Sequence, residues 1–345
     1  MTELAFVVAG RLDQLTGGYL YDRHIVEELQ ARGRSITVIE LDSDDPQPAF
    51  ARLAGGTTVV IDGLALPALA ELIASQRHRL RLVALIHGPV AAEAGLAPAA
   101  AKRAAAVEAE LLAQVRGVIC PSRNTAAAVA GYGIAAERIA VVPPGTPKPN
   151  PPVPPRRRPV RALLCVANLL PRKGHAALIE ALAQIVDLNW TLLIIGSVER
   201  DPATVREVRR LISAAGLDGR ITLAGEKPPT VVRDAYREAD LFVLPSFYEG
   251  YGMVYAEAMA HGLPIIATRA GAIPETVPPE AGLLVPPGDP VGLAQALRRV
   301  IADPGLAARL AKGSRAAGAR LPDWRQAAEQ WERALHLCAA GKSPG

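Results

Sequence analysis

Cysteine is scarce. The 345 residues hold three, Cys120, Cys165 and Cys338, odd in number and widely spaced, which excludes a disulfide framework or a zinc site. That usage suits a reducing compartment, so the expected location is cytoplasmic. The opening Met1-Thr-Glu-Leu lacks the basic stretch that begins a secretory signal. No apolar run approaches the ~18 residues of a membrane-crossing helix. Charge of one sign is also lacking, with 38 Lys and Arg against 34 Asp and Glu. A surplus this small is not a nucleic-acid-binding composition, and no nucleic-acid partner is expected. The chain has no Walker A sequence and no Gly-x-Ser-x-Gly elbow.

Half of the residues are hydrophobic, enough to bury real cores. The length argues for two domains or one large α/β domain. Thirty Gly and thirty Pro without a period exclude collagen and predict many turns. Short apolar runs recur at 4–9, 36–41, 57–62, 82–87, 117–120 and 139–142, with helical spacing over 20–30, 101–115 and 122–131. Strands that are continuously apolar fit a parallel sheet covered on both faces, and the alternation predicts a doubly wound architecture. Residues 143–159 interrupt it, because nine of these seventeen residues are proline. Proline lacks the N–H and fixes φ, so a semi-rigid, extended linker is expected.

The alternation then restarts. Strands are predicted at 162–167, 191–196, 221–224, 241–245, 264–268 and 282–285. Helices are predicted at 175–186, 204–215, 231–238, 255–260, 291–302, 307–316 and 324–337. The fold class expected is α/β, with two doubly wound, Rossmann-like parallel-sheet domains facing a cleft. The expected divisions are 1–142, a linker at 143–159, 160–322, and a final helix within 323–345 that could lie on either domain.

Segment 241–268 reads LFVLPSFYEGYGMVYAEAMAHGLPIIAT. A strand ends at Pro245, a turn with Gly250 and Gly252 follows, and a helix begins. Ligands of doubly wound sheets bind at the carboxyl ends of strands. A helix N-terminus there offers unpaired N–H groups and partial positive charge, and glycine lets the backbone approach an anion. That suits a phosphate. Glu249 sits in the turn and Glu257 in the helix, where carboxylates can accept hydroxyl hydrogen bonds from a sugar and a ribose. The plainer alternative is two solvated glutamates. A second segment, Cys165-Val-Ala-Asn-Leu-Leu-Pro-Arg-Lys-Gly174, puts Arg172 and Lys173 at another strand's carboxyl end. Arg grips phosphate bidentately, while Lys acts as a point charge.

The ordered run PS-x-x-EGYG-x-x-x-x-EAMA-x-GLP resembles the signature of the retaining nucleotide-sugar glycosyltransferases of family 4. These are two-domain enzymes of GT-B fold whose motif is two glutamates separated by seven residues. The resemblance implies Glu249 near the hydroxyls of the transferred sugar and Glu257 on the nucleotide ribose. It implies that the backbone of Gly250, Tyr251, Gly252 and Met253 holds the sugar and the distal phosphate. Arg172 and Lys173 are similar to the family's basic pair, which neutralises the leaving diphosphate. Asn168 stands where the family often has Arg, and Gly196-Ser197 resembles its Gly-Asp/Glu turn. In the first half, Leu15-Thr-Gly-Gly-Tyr19 resembles the family's Gly-Gly loop, so Gly17 and Gly18 are implied to touch the diphosphate through their amides. His87 is similar to a family histidine that hydrogen-bonds the donor sugar.

The activity implied is transfer of a hexose from a nucleotide-diphosphate sugar, UDP-linked, to a hydroxyl acceptor: a glycan, a lipid or a small molecule. The implied route is front-face, with the departing phosphate taking the acceptor proton and no side-chain nucleophile. Neither cofactor nor metal is expected, since Arg172, Lys173 and a helix dipole can carry the phosphate charge. An epimerase, a phosphorylase and a non-catalytic sugar-nucleotide module remain as other readings.

Five further features bear on these readings. Asp13, near the Gly-Gly loop, is a candidate for orienting an acceptor. Tyr19 and Tyr21 either meet a sugar or acyl chain or pack within the helix layer. Asp42-Ser-Asp44 fits an Asp-x-Asp metal motif, but its acidic run beside Pro46 reads as a solvated turn. Arg77-His-Arg79-Leu-Arg81 reads as a solvated helix end rather than an anion or membrane contact. The surplus positive charge lies in one half, since residues 1–155 carry 14 Lys and Arg against 15 Asp and Glu, and 156–345 carry 24 against 19. Basicity thus falls on the expected diphosphate side, which weakens the case for peripheral membrane contact.

Overall fold

Two six-stranded parallel sheets organise the chain, each within its own unit. The computed structural model describes residues 4–41, 46–92, 97–155 and 158–340. Unit 1 comprises 1–145 with 322–345, and unit 2 comprises 146–321. Asp42-Ser-Asp44 lies outside the described residues.

Unit 1 runs β1 (Leu4–Ala9), α1 (Gly17–Ala31), β2 (Ile36–Leu41), α2 (Gln47–Arg52), β3 (Thr58–Asp62), α3 (Ala70–Gln76), β4 (Arg81–Leu85), α4 (Pro98–Ala113), β5 (Gly117–Cys120), α5 (Arg123–Ala130) and β6 (Ile139–Val141). The sheet order is β2-β1-β3-β4-β5-β6. Phe6, Val7, Val59, Val60, Val83 and Ile119 are fully buried, which is why these strands read as unbroken apolar runs. The order reverses between β1 and β3, and that switch point is where such sheets take ligands.

Unit 2 runs β7 (Ala162–Val166), α6 (His175–Ala183), β8 (Thr191–Ile195), α7 (Pro202–Ala214), β9 (Ile221–Leu223), α8 (Pro229–Glu238), β10 (Leu241–Leu244), α9 (Met253–Ala260), β11 (Ile265–Thr268), α10 (Ile273–Thr276), β12 (Gly282–Val285), α11 (Pro290–Ala302) and α12 (Pro304–Arg320). Its order, β12-β11-β10-β7-β8-β9, reverses between β7 and β10. Helices α7, α11 and α12 start at Asp201, Asp289 and Asp303, whose carboxylates each accept a backbone N–H in the first turn.

The last helix, α13 (Trp324–Ala340), belongs to unit 1. It packs on α1 and across β4, β5 and β6. Trp331 is fully buried and stacks on Phe6 at 6.1 Å between ring centroids. Arg32 donates to Glu329 at 3.1 Å, and Arg34 to Glu332 at 3.0 Å.

Residues 143–155 form neither helix nor strand. They are not a free spacer, however. Pro144, Gly145 and Thr146 are buried, and Lys148 Nζ donates to the Gly318 and Leu321 carbonyls at 2.6 and 2.8 Å, closing the end of α12. Helices α2 and α3 were not anticipated, because six or seven residues carry too little period to register. Helix α12 runs farther than expected at both ends, through Gly313 and Gly318. A Cβ at Gly318 would lie 2.5 Å from the Met259 carbonyl, so close packing on α9 offsets their poor helix propensity.

Candidate active site

The two loops at unit 2's switch point are built against each other. The loop after β7 carries Arg172 and Lys173 in a single 3-10 turn, and the loop after β10 spans Pro245 to Gly252. Phe247 N donates to the Arg172 carbonyl at 2.7 Å. Gly174 follows the basic pair with φ +70°, and a Cβ there would overlap the Pro245 carbonyl, so only glycine fits this turn. Ala272 N and Thr276 Oγ1 donate to the Glu249 and Tyr251 carbonyls at 2.8 and 2.5 Å, bracing the loop from the other side.

Glu249 is 7% exposed. Its Oε1 accepts from Lys173 Nζ and from Ser246 Oγ, both at 2.6 Å, and Oε2 lies 3.7 Å from Arg172. Burial would raise the carboxyl, but Lys173, Arg172 and the Ser246 hydroxyl outweigh it and hold Glu249 below the ordinary carboxylate range. Burial and Arg172 lower the Lys173 ammonium, with Glu249 opposing. The ligand-free site is thus a carboxylate covered by two cations.

Helix α9 starts at Gly252, which has φ +85° and contributes no side-chain cap; the first turn holds no acidic residue. Its N–H groups, with Met253 first, are the partial positive charge expected beside Gly250 and Tyr251. Tyr251 is half-buried, and burial with Glu275 nearby pushes its phenol up to about 12. One turn into α9, Glu257 Oε2 accepts from Tyr236 OH at 2.9 Å. Burial pushes Glu257 up to about 7, with the Tyr236 hydrogen bond opposing. Asn168 Oδ1 accepts from Ser197 N at 2.8 Å, tying the loop after β7 to the one after β8.

In unit 1, Gly17 and Gly18 open α1 after Thr16, which makes no side-chain cap. A Cβ on Gly18 would lie 3.0 Å from His87 Cδ2, so this helix start sits against the imidazole. His87 Nε2 meets Asp22 Oδ1 at 2.8 Å and Asp62 Oδ2 at 3.3 Å. Burial would lower the imidazole, but these carboxylates outweigh it and raise it well above its ordinary value. Asp22, fully buried, is itself raised by burial, with Asp62 adding and His87 opposing. Asp22, Asp62 and His87 are the one cluster of metal-ligating type among the described residues. The direct 2.8 Å hydrogen bond to Asp22 marks it as a histidine held by its Nε2 between two carboxylates.

Residues 160–303 match the family described as glycosyl transferases group 1, and residues 57–148 match glycosyltransferase family 4. Both units of the chain are thus similar to family 4-like glycosyltransferases. A D-inositol 3-phosphate glycosyltransferase of Xylanimonas cellulosilytica is 34% identical over 213 residues, covering 57% of this chain and 51% of that one. A GDP-mannose-dependent monoacylated alpha-(1-6)-phosphatidylinositol monomannoside mannosyltransferase of Corynebacterium glutamicum is 33% identical over 151 residues, 41% of this chain and 38% of that one. The chain thus spans about half the length, or less, of the curated relatives it matches. Among solved structures, a sucrose-phosphate synthase of Thermosynechococcus elongatus superposes with a TM-score of 0.81 at 24% identity, covering 96% of this chain and 98% of that one. HepE of Anabaena, solved with UDP and glucose, gives 0.77 at 21% identity, covering 97% and 100%. These likenesses establish the fold, GT-B.

The structure narrows three readings that the sequence left open. Tyr19 and Tyr21 are buried and do not present rings to a sugar or acyl chain: Tyr19 OH donates to the Ala9 carbonyl, and Tyr21 OH to the Val142 carbonyl at 3.1 Å. Asp13 is exposed and doubly bonded to Arg11, at 2.9 and 3.2 Å. Arg79 is no free surface cation, because it donates to the Leu53 and Phe50 carbonyls. Ser246, Tyr236, Asp22 and Asp62 were not singled out. Ser246 lies inside the quoted motif, so its place three residues before Glu249 was a usable signal. The other three act across 21 to 65 residues of sequence, which no local spacing shows. Among the described residues, no helix is long and apolar enough to cross a membrane.

Proposed function

We propose that the chain transfers a hexose from a nucleotide-diphosphate sugar to a hydroxyl acceptor, with retention at the anomeric carbon. One observation carries this reading: Lys173, Arg172, Glu249 and the uncapped start of α9 converge at the switch point of unit 2. A diphosphate arriving there takes over the cations that Glu249 holds in the free protein. As the bond to the anomeric carbon breaks, charge grows on the leaving oxygen, and preplaced cations and amides stabilise it. The anomeric centre becomes cation-like. The departing phosphate then takes the proton of the acceptor hydroxyl on the same face. Glu249 Oε2 accepts a sugar hydroxyl, and Glu257 accepts the ribose hydroxyls. The reading calls for no resident cofactor.

UDP is the proposed base carrier. GDP is the competitor, because one relative is named for GDP-mannose. A thermal-shift comparison of UDP-, GDP-, ADP- and TDP-sugars separates them, since a ligand at 100 times its Kd stabilises by ~2.7 kcal/mol. NMR of the product then reads the anomeric configuration. Inverted product refutes retention. Donor consumption that needs no acceptor and yields an epimer, or that needs inorganic phosphate, refutes transfer.

Glu257 gives this donor site a pH dependence. A carboxyl raised to about 7 is part-protonated at neutrality, and only its ionised form accepts two ribose hydroxyls. Affinity for a nucleotide sugar is expected to rise as pH increases through about 7. Tyr236→Phe removes the hydrogen bond that opposes burial, so the rise should move to higher pH. Calorimetric titration across that range, with wild type and variant, reads both shifts; superimposable profiles would show that Glu257 does not meet the ribose.

A further inference from the structure

Aromatic residues are only 4% of the chain, and one of them stands out on the surface. Phe247 is 43% exposed, while every other Phe, Tyr and Trp is buried or half-buried. An exposed apolar side chain alone means little. This one follows the carboxyl end of β10, where doubly wound sheets take ligands, two residues before Glu249. Its backbone is fixed: Phe247 N donates to the Arg172 carbonyl at 2.7 Å, and Thr268 Oγ1 donates to the carbonyl of Ser246. Its ring leans on the loop after β12, since a Cβ on Gly288 would lie 3.2 Å from Phe247 Cε1. Register sets Leu244 beside Ala267 and Thr268 beside Val285, so the ends of β10, β11 and β12 lie in a row. Arg269 directly follows β11 and is exposed, and its guanidinium makes no hydrogen bond or ion pair among the described residues. Pro286, Pro287 and Gly288 follow β12 and are exposed as well.

We propose that Phe247 is the platform of a sugar subsite on unit 2: its ring stacks on the C–H face of a pyranose, and Arg269 donates to that ring's hydroxyls. A pyranose is amphipathic. Its hydroxyls lie around the rim, and its C–H groups form an apolar face that suits the electron-rich face of a phenyl ring. Guanidinium N–H groups can donate to the rim oxygens. A nucleobase would stack on a phenyl ring too, but the nucleotide is drawn to the other side of β10. Glu257, the ribose ligand of the proposed reaction, meets Tyr236 of α8, and α8 packs on β7. Phe247 leans the opposite way, across β11 to the loop after β12. An acyl chain would leave the guanidinium unused. A backbone fixed before the ligand arrives also loses little conformational freedom on binding.

This inference rests on the transferase reading, in which the ring belongs either to the transferred hexose or to a sugar acceptor. Binding measurements separate the two sources and need no turnover. Phe247→Ala should weaken the sugar ligand about tenfold, the loss of one stacked ring. Calorimetric titration compares UDP with UDP-glucose, and GDP with GDP-mannose. A loss confined to the nucleotide sugars, with the bare diphosphates unchanged, puts the transferred hexose on Phe247. The other arm is saturation-transfer NMR with methyl α-glucopyranoside and methyl α-mannopyranoside in the presence of UDP. Unchanged donor titrations, with a glycoside signal present in wild type and lost in the variant, put an acceptor ring there.

Equal losses for UDP and UDP-glucose would mean that the loop beside Arg172 has moved, and would overturn the platform. Unchanged affinity for every one of these ligands overturns it too. Phe247→Leu keeps an apolar side chain without the π face, so it should lose nearly as much as Phe247→Ala. A leucine variant that binds like wild type refutes stacking. Phe247→Tyr keeps the ring and should bind like wild type. Arg269→Met should weaken the same ligand about threefold, and no change would remove Arg269 from the subsite. Both residues are exposed, so all of these variants should melt with wild type. Absence of turnover in wild type, with sugar binding still dependent on Phe247, refutes the transferase reading and leaves the platform standing. Turnover in wild type, with Phe247→Ala identical to it in every titration, does the reverse.

Discussion

Lys173→Met is expected to lower kcat/KM for the nucleotide-sugar donor by about 10²–10³-fold, mostly in kcat. The side chain acts twice. In the free protein it neutralises a nearly buried carboxylate at 2.6 Å, and in the reaction it meets charge that grows on the leaving diphosphate. Interactions that strengthen only as the bond breaks appear in kcat rather than KM. The same substitution strips Glu249 of its nearest cation and leaves Arg172 at 3.7 Å. Breaking a buried pair by removing one member costs about 3–5 kcal/mol, so the variant should also melt early. Stability and catalysis separate in a double variant: adding Glu249→Gln relieves the uncompensated charge and should restore melting without restoring rate. Denaturation and steady-state kinetics on the four proteins of the cycle read both effects. Recovery of rate together with melting would mean that Lys173 serves the fold alone.

Trp331→Ala is expected to destabilise unit 1 by about 3–5 kcal/mol. Trp331 is fully buried, and its ring fills the space over Phe6 between α13 and the sheet. Ala327, Ala328 and Ala334 surround it on the same helix face, too small to close the cavity. The loss should be confined to one unit, because α13 contacts elements of unit 1 and unit 2 has its own core. Hydrogen exchange read unit by unit is the measurement, with protection falling in β4–β6 and α1 and holding in β7–β12. An equal loss in both units, or a loss under about 1 kcal/mol, would contradict this account.

The donor half was legible because its signals are local. Glu249, Gly252 and Glu257 lie within one strand-turn-helix passage, and Arg172 and Lys173 within another. The strand-end rule then sends both passages to one sheet edge. What the sequence did not show was that Glu249 spends one oxygen on Lys173 and Ser246, because that depends on β7 and β10 being neighbours. In unit 1 the same gap is wider. His87 could be picked out at the end of an apolar run. Its partners, on α1 and at the end of β3, come together only through the order β1-β3-β4. The tyrosines of α1 stayed open between two readings for a related reason: an amphipathic residue beside a glycine loop reads the same whether its ring faces out or its hydroxyl finds a carbonyl inside. Long strands buried on both faces were read nearly to the residue, whereas α2 and α3 were too short to show a period.

The place of α13 has a consequence for how the protein is made. Synthesis delivers β1 to β6 first, but their cover over β4, β5 and β6 comes from residues 324–340. Unit 2 is contiguous and has every strand and helix of its core in hand once residue 321 is made. The half that begins first is therefore the half that finishes last. While unit 2 is being translated, the face that Trp331 will cover stays open, and a nascent chain with an uncovered apolar face is a chaperone client. A ribosome that stops between 321 and 340 would release a complete unit 2 carrying an unfinished unit 1, a species defined by timing rather than by any change in the chain.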